Sequence, residues 1–247
     1  MYAKIEEYSK AIELYKKAIE LEPNDGKNYW SLASVYAKIR EYSKAIELYK
    51  KAIELEPNDG KNYWFLADVY ASIREYSKAI EFYKKAIELE PNDESNYRSL
   101  AHVYAEIEEY SKAIELYKKA IELEPNDESN YCSLAHVYAE IKEYSKAIEL
   151  YQKSIELEPD ETYSYVFLAY VYEDIEEYIK AIELYEKFIE LEPDYINSYY
   201  VLARAYVDVK EYSKAIKYYK MLIEQEDELS VSDLEKLYKE EFSLTLK

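Results

Sequence analysis

Apolar and polar positions along the chain follow two nested periods. Tyr29, Leu32, Ala33, Tyr36 and Ile39 fall three or four residues apart, a spacing that lays side chains along one face of a helix. Ala45, Ile46, Tyr49, Ala52 and Ile53 do the same in the next stretch, so two amphipathic helices, A and B, are predicted in succession. Only about three residues separate them, which folds the pair back as an antiparallel hairpin. Asp59 is placed to cap the next helix A, and Pro57 ends helix B because it disfavours helical geometry at Glu56.

The hairpin then recurs. All six prolines, Pro23, Pro57, Pro91, Pro125, Pro159 and Pro193, stand 34 residues apart. The stretch Glu7–Asp25 returns unchanged at Glu41–Asp59 and Glu109–Asp127, and at Glu75–Asp93 with Phe82 as its one change. Self-similarity at such a period predicts a solenoid, in which each unit buries its apolar face only by stacking on its neighbours. Counted from Gly26, units begin at Gly26, Gly60, Glu94, Glu128, Thr162 and Ile196. The expected organisation is a partial repeat over 1–25, mainly helix B, six repeats over 26–229, and a capping helix over 230–247. In that tail Ser232 and Glu235 form a capping box, and Leu234, Leu237, Tyr238 and Phe242 an apolar stripe.

The residues of the first copy, Tyr29, Leu32, Ala33, Tyr36, Ala45, Tyr49, Ala52 and Pro57, and those of the second, Tyr63, Leu66, Ala67, Tyr70, Ala79, Tyr83, Ala86 and Pro91, resemble the signature of the tetratricopeptide repeat (TPR) family. The resemblance covers nearly the whole chain. It implies an all-α fold, a right-handed superhelical solenoid of antiparallel helix hairpins. Where the family usually has Gly in the A–B turn, this chain has Arg40, Arg74, Glu108, Lys142, Glu176 and Lys210. A left-handed residue there would cost about 1 kcal/mol without Gly, so a differently built turn is expected. The sixth copy relaxes further, with Leu222, Gln225 and Asp227 at signature positions. Glu47–Lys51, Glu81–Lys85, Glu115–Lys119, Glu149–Lys153 and Glu183–Lys187 are expected to pair at i,i+4 on a solvated face.

Differences between copies mark the positions that packing leaves free. With Gly26 as the first place of a repeat, they concentrate at the second, fifth, sixth and ninth places of helix A, which share one stripe. In TPR proteins the corresponding stripe lines a concave groove that holds an extended peptide or a partner helix. Here the resemblance implies a partner-binding groove formed by Lys27, Trp30, Ser34, Lys61, Trp64, Phe65, Asp68, Arg98, His102, Cys132 and His136, and further on by Tyr163, Val166, Phe167, Tyr170, Asn197, Tyr200, Val201 and Arg204. Cations beside aromatic platforms suit a ligand with apolar side chains and some negative charge. The competing reading is that the fifth-place aromatics only pack on the neighbouring helix. The family's carboxylate clamp has Lys at the fifth place and Asn at the ninth; Trp30 with Ser34 and Trp64 with Asp68 do not match it, which argues against a chaperone C-terminus as ligand.

Composition narrows the function. A formal net charge of −20 argues against nucleic acid and against an anionic membrane surface. There is no run of about 18 apolar residues and no leader-like apolar segment, so a cytoplasmic protein is expected. Cys132, His136 and His102 could approach one another, but they lack a second shell and read as polar groove residues, so no metal and no cofactor are expected. With no phosphate loop and no nucleophile signature, an enzyme is not expected. Three functions remain: a scaffold for a protein or peptide partner, a self-assembling module, or a recruiting arm of a larger enzyme. Self-assembly to a homo-oligomer would use the N-terminal helix, whose Ala11, Ile12 and Tyr15 lack a preceding helix A to cover them.

Overall fold

The computed structural model of the chain describes residues 2–223. Among them are thirteen α-helices and no strand. They are α1 (Tyr2–Leu21), α2 (Gly26–Lys38), α3 (Tyr42–Leu55), α4 (Gly60–Ser72), α5 (Tyr76–Leu89), α6 (Glu94–Glu106) and α7 (Tyr110–Leu123), then α8 (Glu128–Glu140), α9 (Tyr144–Leu157), α10 (Tyr163–Asp174), α11 (Tyr178–Leu191), α12 (Ile196–Asp208) and α13 (Tyr212–Ile223). The tail helix expected over 230–247 lies outside the described residues, as do Gln225 and Asp227. The chain forms two compact units, Met1–Pro125 and Asn126–Lys247.

In the first unit α2 pairs with α3, α4 with α5 and α6 with α7, while α1, α3 and α5 each pack on the following helix A. The second unit repeats the scheme: α8 pairs with α9, α10 with α11 and α12 with α13, and α9 and α11 pack forward on α10 and α12. The fold is the all-α hairpin array that the periodicity predicts. Helix α1 differs from the later B helices. It runs unbroken from Tyr2, so residues that form the A–B turn elsewhere are helical here. Ala11, Ile12 and Tyr15 are half-buried against this background, whereas the counterparts Ala45 and Tyr49 are buried. Among the described side chains of α1, the apolar ones left most open are Leu14 and Leu21.

Each repeat is closed by the same small set of bonds. Leu32, Ala33, Tyr36, Ala45, Tyr49 and Ala52 are buried, as are their counterparts along the array. Asp25, Asp59, Asp93 and Asp127 accept the backbone N–H two residues on, which satisfies one of the unpaired donors at each helix start. The fourth-place tyrosines are tyrosines for a reason that phenylalanine would not serve. The Tyr29, Tyr63, Tyr97, Tyr165 and Tyr199 hydroxyls donate to the carbonyls of Pro23, Pro57, Pro91, Pro159 and Pro193 at 2.9–3.1 Å, pinning the turn to the helix. The invariant lysine of helix B has a similar role: Lys44 Nζ lies 5.3 Å from the centre of the Tyr36 ring, and the pair recurs in all six repeats.

Two expectations are corrected. The A–B turn is left-handed after all, with φ between 60° and 63° at Arg40, Arg74, Glu108, Lys142, Glu176 and Lys210. Glu41 N–H bonds to the Tyr36 carbonyl and Arg40 N–H to the Ala37 carbonyl, both at 2.9 Å, a Schellman closure that satisfies the last carbonyls of helix A. Six repeated closures hold the backbone in a conformation that the side chains disfavour. The expected i,i+4 pairs also give way to others. Lys51, Lys85, Lys119, Lys153 and Lys187 reach forward instead, to Glu54, Glu88, Glu122, Glu156 and Glu190, at 2.7–3.1 Å. Near the C-terminal end of helix B, the second carboxylate is as close along the helix as the first.

Glycine at a left-handed turn should therefore stabilise the array. Arg40→Gly and Glu108→Gly are each expected to raise unfolding free energy by about 1 kcal/mol, the left-handed penalty removed. Urea unfolding followed by circular dichroism measures it; a loss of stability in both variants would contradict the observed turn.

Candidate partner-binding faces

The variable stripe is the open part of helix A. At the seventh, eighth and eleventh places every copy is buried, as with Leu66, Ala67 and Tyr70. At the second, fifth, sixth and ninth places every copy is half-buried or exposed. Packing therefore dictates the constant residues and leaves the variable ones facing out.

In the first unit the stripe carries an aromatic cluster. Trp30 and Trp64 meet the Phe65 ring edge to face at 5.1 and 4.9 Å, and Phe65 stacks on Tyr49 at 5.9 Å. Both indoles are half-buried, so they pack on neighbouring helices while keeping one side open. Trp64 Nε1 donates to Ser99 Oγ at 3.0 Å. Trp30 Nε1 has no such acceptor, because Phe65 occupies the place that Ser99 fills one repeat later. Lys27 and Lys61 project into solvent beside the cluster. Arg98 pairs with Glu94 at 3.4 Å on its own helix, and His102 is exposed.

A cavity of about 270 Å³ opens beside Phe65, between Ser34, Asp68 and Tyr49. Ser34 Oγ and the Tyr49 hydroxyl are 2.9 Å apart, and burial pushes the Tyr49 pKa up to about 12. Asp68 has solvent on its outer side, yet the surrounding side chains remove enough water to raise its pKa as well. Lys38, Tyr42 and Ser72 also border this cavity and were not read from the sequence. For Lys38 and Ser72 the signal was present: both occupy the thirteenth place, one turn beyond the ninth on the same stripe, whereas Tyr42 comes from the start of α3.

In the second unit Phe167 is the hub. His136, Tyr163 and Tyr170 surround it at ring separations of 5.4, 6.5 and 6.5 Å. Cys132 is half-buried, and burial pushes its thiol pKa up, the opposite of what a reactive or ligating cysteine needs. Among the described residues no three His, Cys, Asp or Glu side chains are placed to hold a metal ion. Tyr200 lies 6.1 Å from Tyr219, and Arg204 is exposed. A second cavity, of about 440 Å³, takes in Tyr163, Val166, Tyr170, Asn197 and Val201. Its remaining wall comes from Phe188, Tyr195, Glu192, Ser198 and the Asp160–Thr162 loop, none of them anticipated. Phe188 stands where the first three full copies have Ala52, Ala86 and Ala120, and its neighbour Tyr195 meets it edge to face at 5.6 Å.

Among the described residues no helix is long and apolar enough to cross a membrane.

Two consequences can be measured. Trp64→Phe removes a hydrogen bond and Trp30→Phe does not, so the former should cost about 1 kcal/mol more in urea unfolding; equal losses would contradict the Ser99 contact. Asp68 has a higher pKa folded than unfolded, so its favourable contribution is complete below the ordinary value of 3.8 and lost as pH rises through the folded value. Asp68→Asn should therefore raise the thermal midpoint at pH 7 and leave it unchanged at pH 3. An equal gain at both would point to a different cause.

Comparison with known proteins agrees with this geometry. The model of the cytochrome c-type biogenesis protein H TPR domain matches residues 51–161, and that of anaphase-promoting complex, cyclosome, subunit 3 matches 146–222. Tetratricopeptide repeat models match 31–59 and 1–39. No curated protein sequence matches significantly. A MamA crystal structure is 30% identical over 69% of this chain and 93% of that chain, with a TM-score of 0.61. YrrB, described as a TPR protein with an unusual peptide-binding site, is 24% identical over 77% of this chain and 98% of its own, at a TM-score of 0.60. Pseudomonas aeruginosa pilF is 20% identical over 86% and 97%, at 0.71; these last two likenesses concern the fold alone. Repeat period, hairpin architecture and these matches agree: the chain belongs to the tetratricopeptide repeat family.

Proposed function

We propose that this TPR array is a protein-interaction scaffold whose variable helix-A faces receive an extended peptide or a helix of a partner protein. The observation that carries the reading is the coincidence of variability with accessibility: the second, fifth, sixth and ninth places differ between copies and are fully buried in none of the six repeats. Lys27 and Lys61 beside the Trp30–Phe65–Trp64 cluster suit apolar side chains with a neighbouring carboxylate. Tyr163 and Tyr170 offer open aromatic surface in the second unit, where most other tyrosines of the repeats are covered. The family resemblance and the peptide-binding description of YrrB support the same reading. Binding, with no chemistry of its own, is the activity proposed. A second reading, self-association through α1, is favoured by the exposure of Leu14 and Leu21. Light scattering separates the two, since a monomer at all concentrations removes self-association.

The exposed residues give a cleaner test than the tryptophans, whose packing would confound it. Lys27→Ala with Lys61→Ala, and separately Tyr163→Ala with Tyr170→Ala, should retain helicity by circular dichroism. In a quantitative pull-down at least one pair should weaken partner capture about tenfold. Unchanged capture by both folded variants would remove the helix-A faces from the interaction.

A further inference from the structure

The cavity of about 440 Å³ in the second unit has a chemistry that the rest of the stripe lacks. Its charged lining residues are Asp160, Glu161 and Glu192, and no Lys, Arg or His borders it. Its aromatic wall includes Tyr163, Tyr170 and Tyr195, which are 65%, 41% and 52% exposed. We infer that this cavity receives the positively charged side chain, Lys or Arg, of an extended peptide partner, an inference that rests on the binding-scaffold reading above.

The lining departs from the repeat in a concerted way. Tyr163 stands at a second place that is Lys or Ser in the four preceding repeats, and Tyr195 at a position held earlier by the capping aspartates Asp25, Asp59, Asp93 and Asp127. Phe188 replaces an alanine, and Glu161 replaces a capping aspartate. These substitutions fall in two successive inter-repeat junctions and converge on one space. Capping is retained at α10, where Glu161 Oε1 accepts the Tyr163 N–H at 3.0 Å, and this bond fixes the carboxylate at the cavity edge.

Charge decides the occupant. An aliphatic side chain would strip water from carboxylates and return nothing, and an anion would be repelled by all three. A cation gains attraction from the carboxylates and from the tyrosine faces together. Two cations lie nearby without bordering the cavity. Lys187 pairs with Glu190 at 3.0 Å, and Arg204 acts on Tyr170 and Glu173. The space is at the lower end of the range for ligand sites, about 300–1,000 Å³, and accommodates one long side chain with adjoining backbone.

The test uses the full chain and a fluorescent decapeptide library. One position is fixed as Lys, Arg, norleucine or Glu, and the others are randomised. Binding is read by fluorescence polarisation at 0.15 and 0.5 M NaCl. Lys and Arg pools should bind about tenfold more tightly than the norleucine pool at low salt, with the preference reduced at high salt. Glu161→Gln with Glu192→Gln keeps a capping oxygen on α10, and should abolish the preference while leaving norleucine binding unchanged. Binding of all pools without a basic preference, or a preference that survives the double substitution, overturns this inference alone. Absence of binding by every pool overturns it together with the scaffold reading on which it rests.

Discussion

Helices in the array cross at alanines that have no exposed surface. Ala33, Ala45 and Ala52 form this contact in the first full repeat, and Ala67, Ala79 and Ala86 in the second. A side chain reduced to one methyl lets two helices approach closely, and a larger one would overpack the crossing by about 1–3 kcal/mol. Once that approach is fixed, the tyrosines, prolines and turns have only one way to fit. The rotation of helix A is then set as well, and with it which of its residues face outward. Where the small residue is lost the neighbours adjust. The Ser154 and Ser164 hydroxyls bond at 2.9 Å where earlier copies have alanine and asparagine, and Phe188 borders a cavity with Ser198.

The hairpins, their order and the variable stripe were legible because they depend on periodicity, which one chain displays several times over. The turn was misread for an instructive reason. Arg40 and Glu108 carry no trace of a left-handed backbone, since the conformation is imposed by the Schellman bonds and not by the residue itself. Lys51 was misassigned because sequence gives two carboxylates within reach, Glu47 and Glu54, and only side-chain geometry selects between them. The acidic cavity was invisible for a third reason. Asp160, Glu161 and Glu192 sit in or beside inter-repeat loops, where helical periodicity says nothing about which side chains converge.

The two units thus present helix-A faces of opposite character on a strongly acidic chain. Short lysine–glutamate pairs such as Lys51–Glu54 and Lys44–Glu41 recur on the solvated side of helix B, where each adds little to stability. The helix-A faces differ in which charges border their aromatic side chains. Lysines flank the indoles in the first unit, and carboxylates flank the tyrosines in the second. On the scaffold reading proposed above, specificity would rest on a few exceptions to a rule that packing otherwise enforces.

The near-identity of the B helices has a further consequence. Helices α3 and α7 share one sequence, and α5 differs from them only by Phe82. Their docking surfaces are interchangeable, so side-chain complementarity alone cannot tell a folding chain which A helix belongs with which B helix. Tethering supplies that information. A connection of a few residues holds the correct neighbour at far higher local concentration than any distant copy, and it is chain continuity that keeps the layers in order.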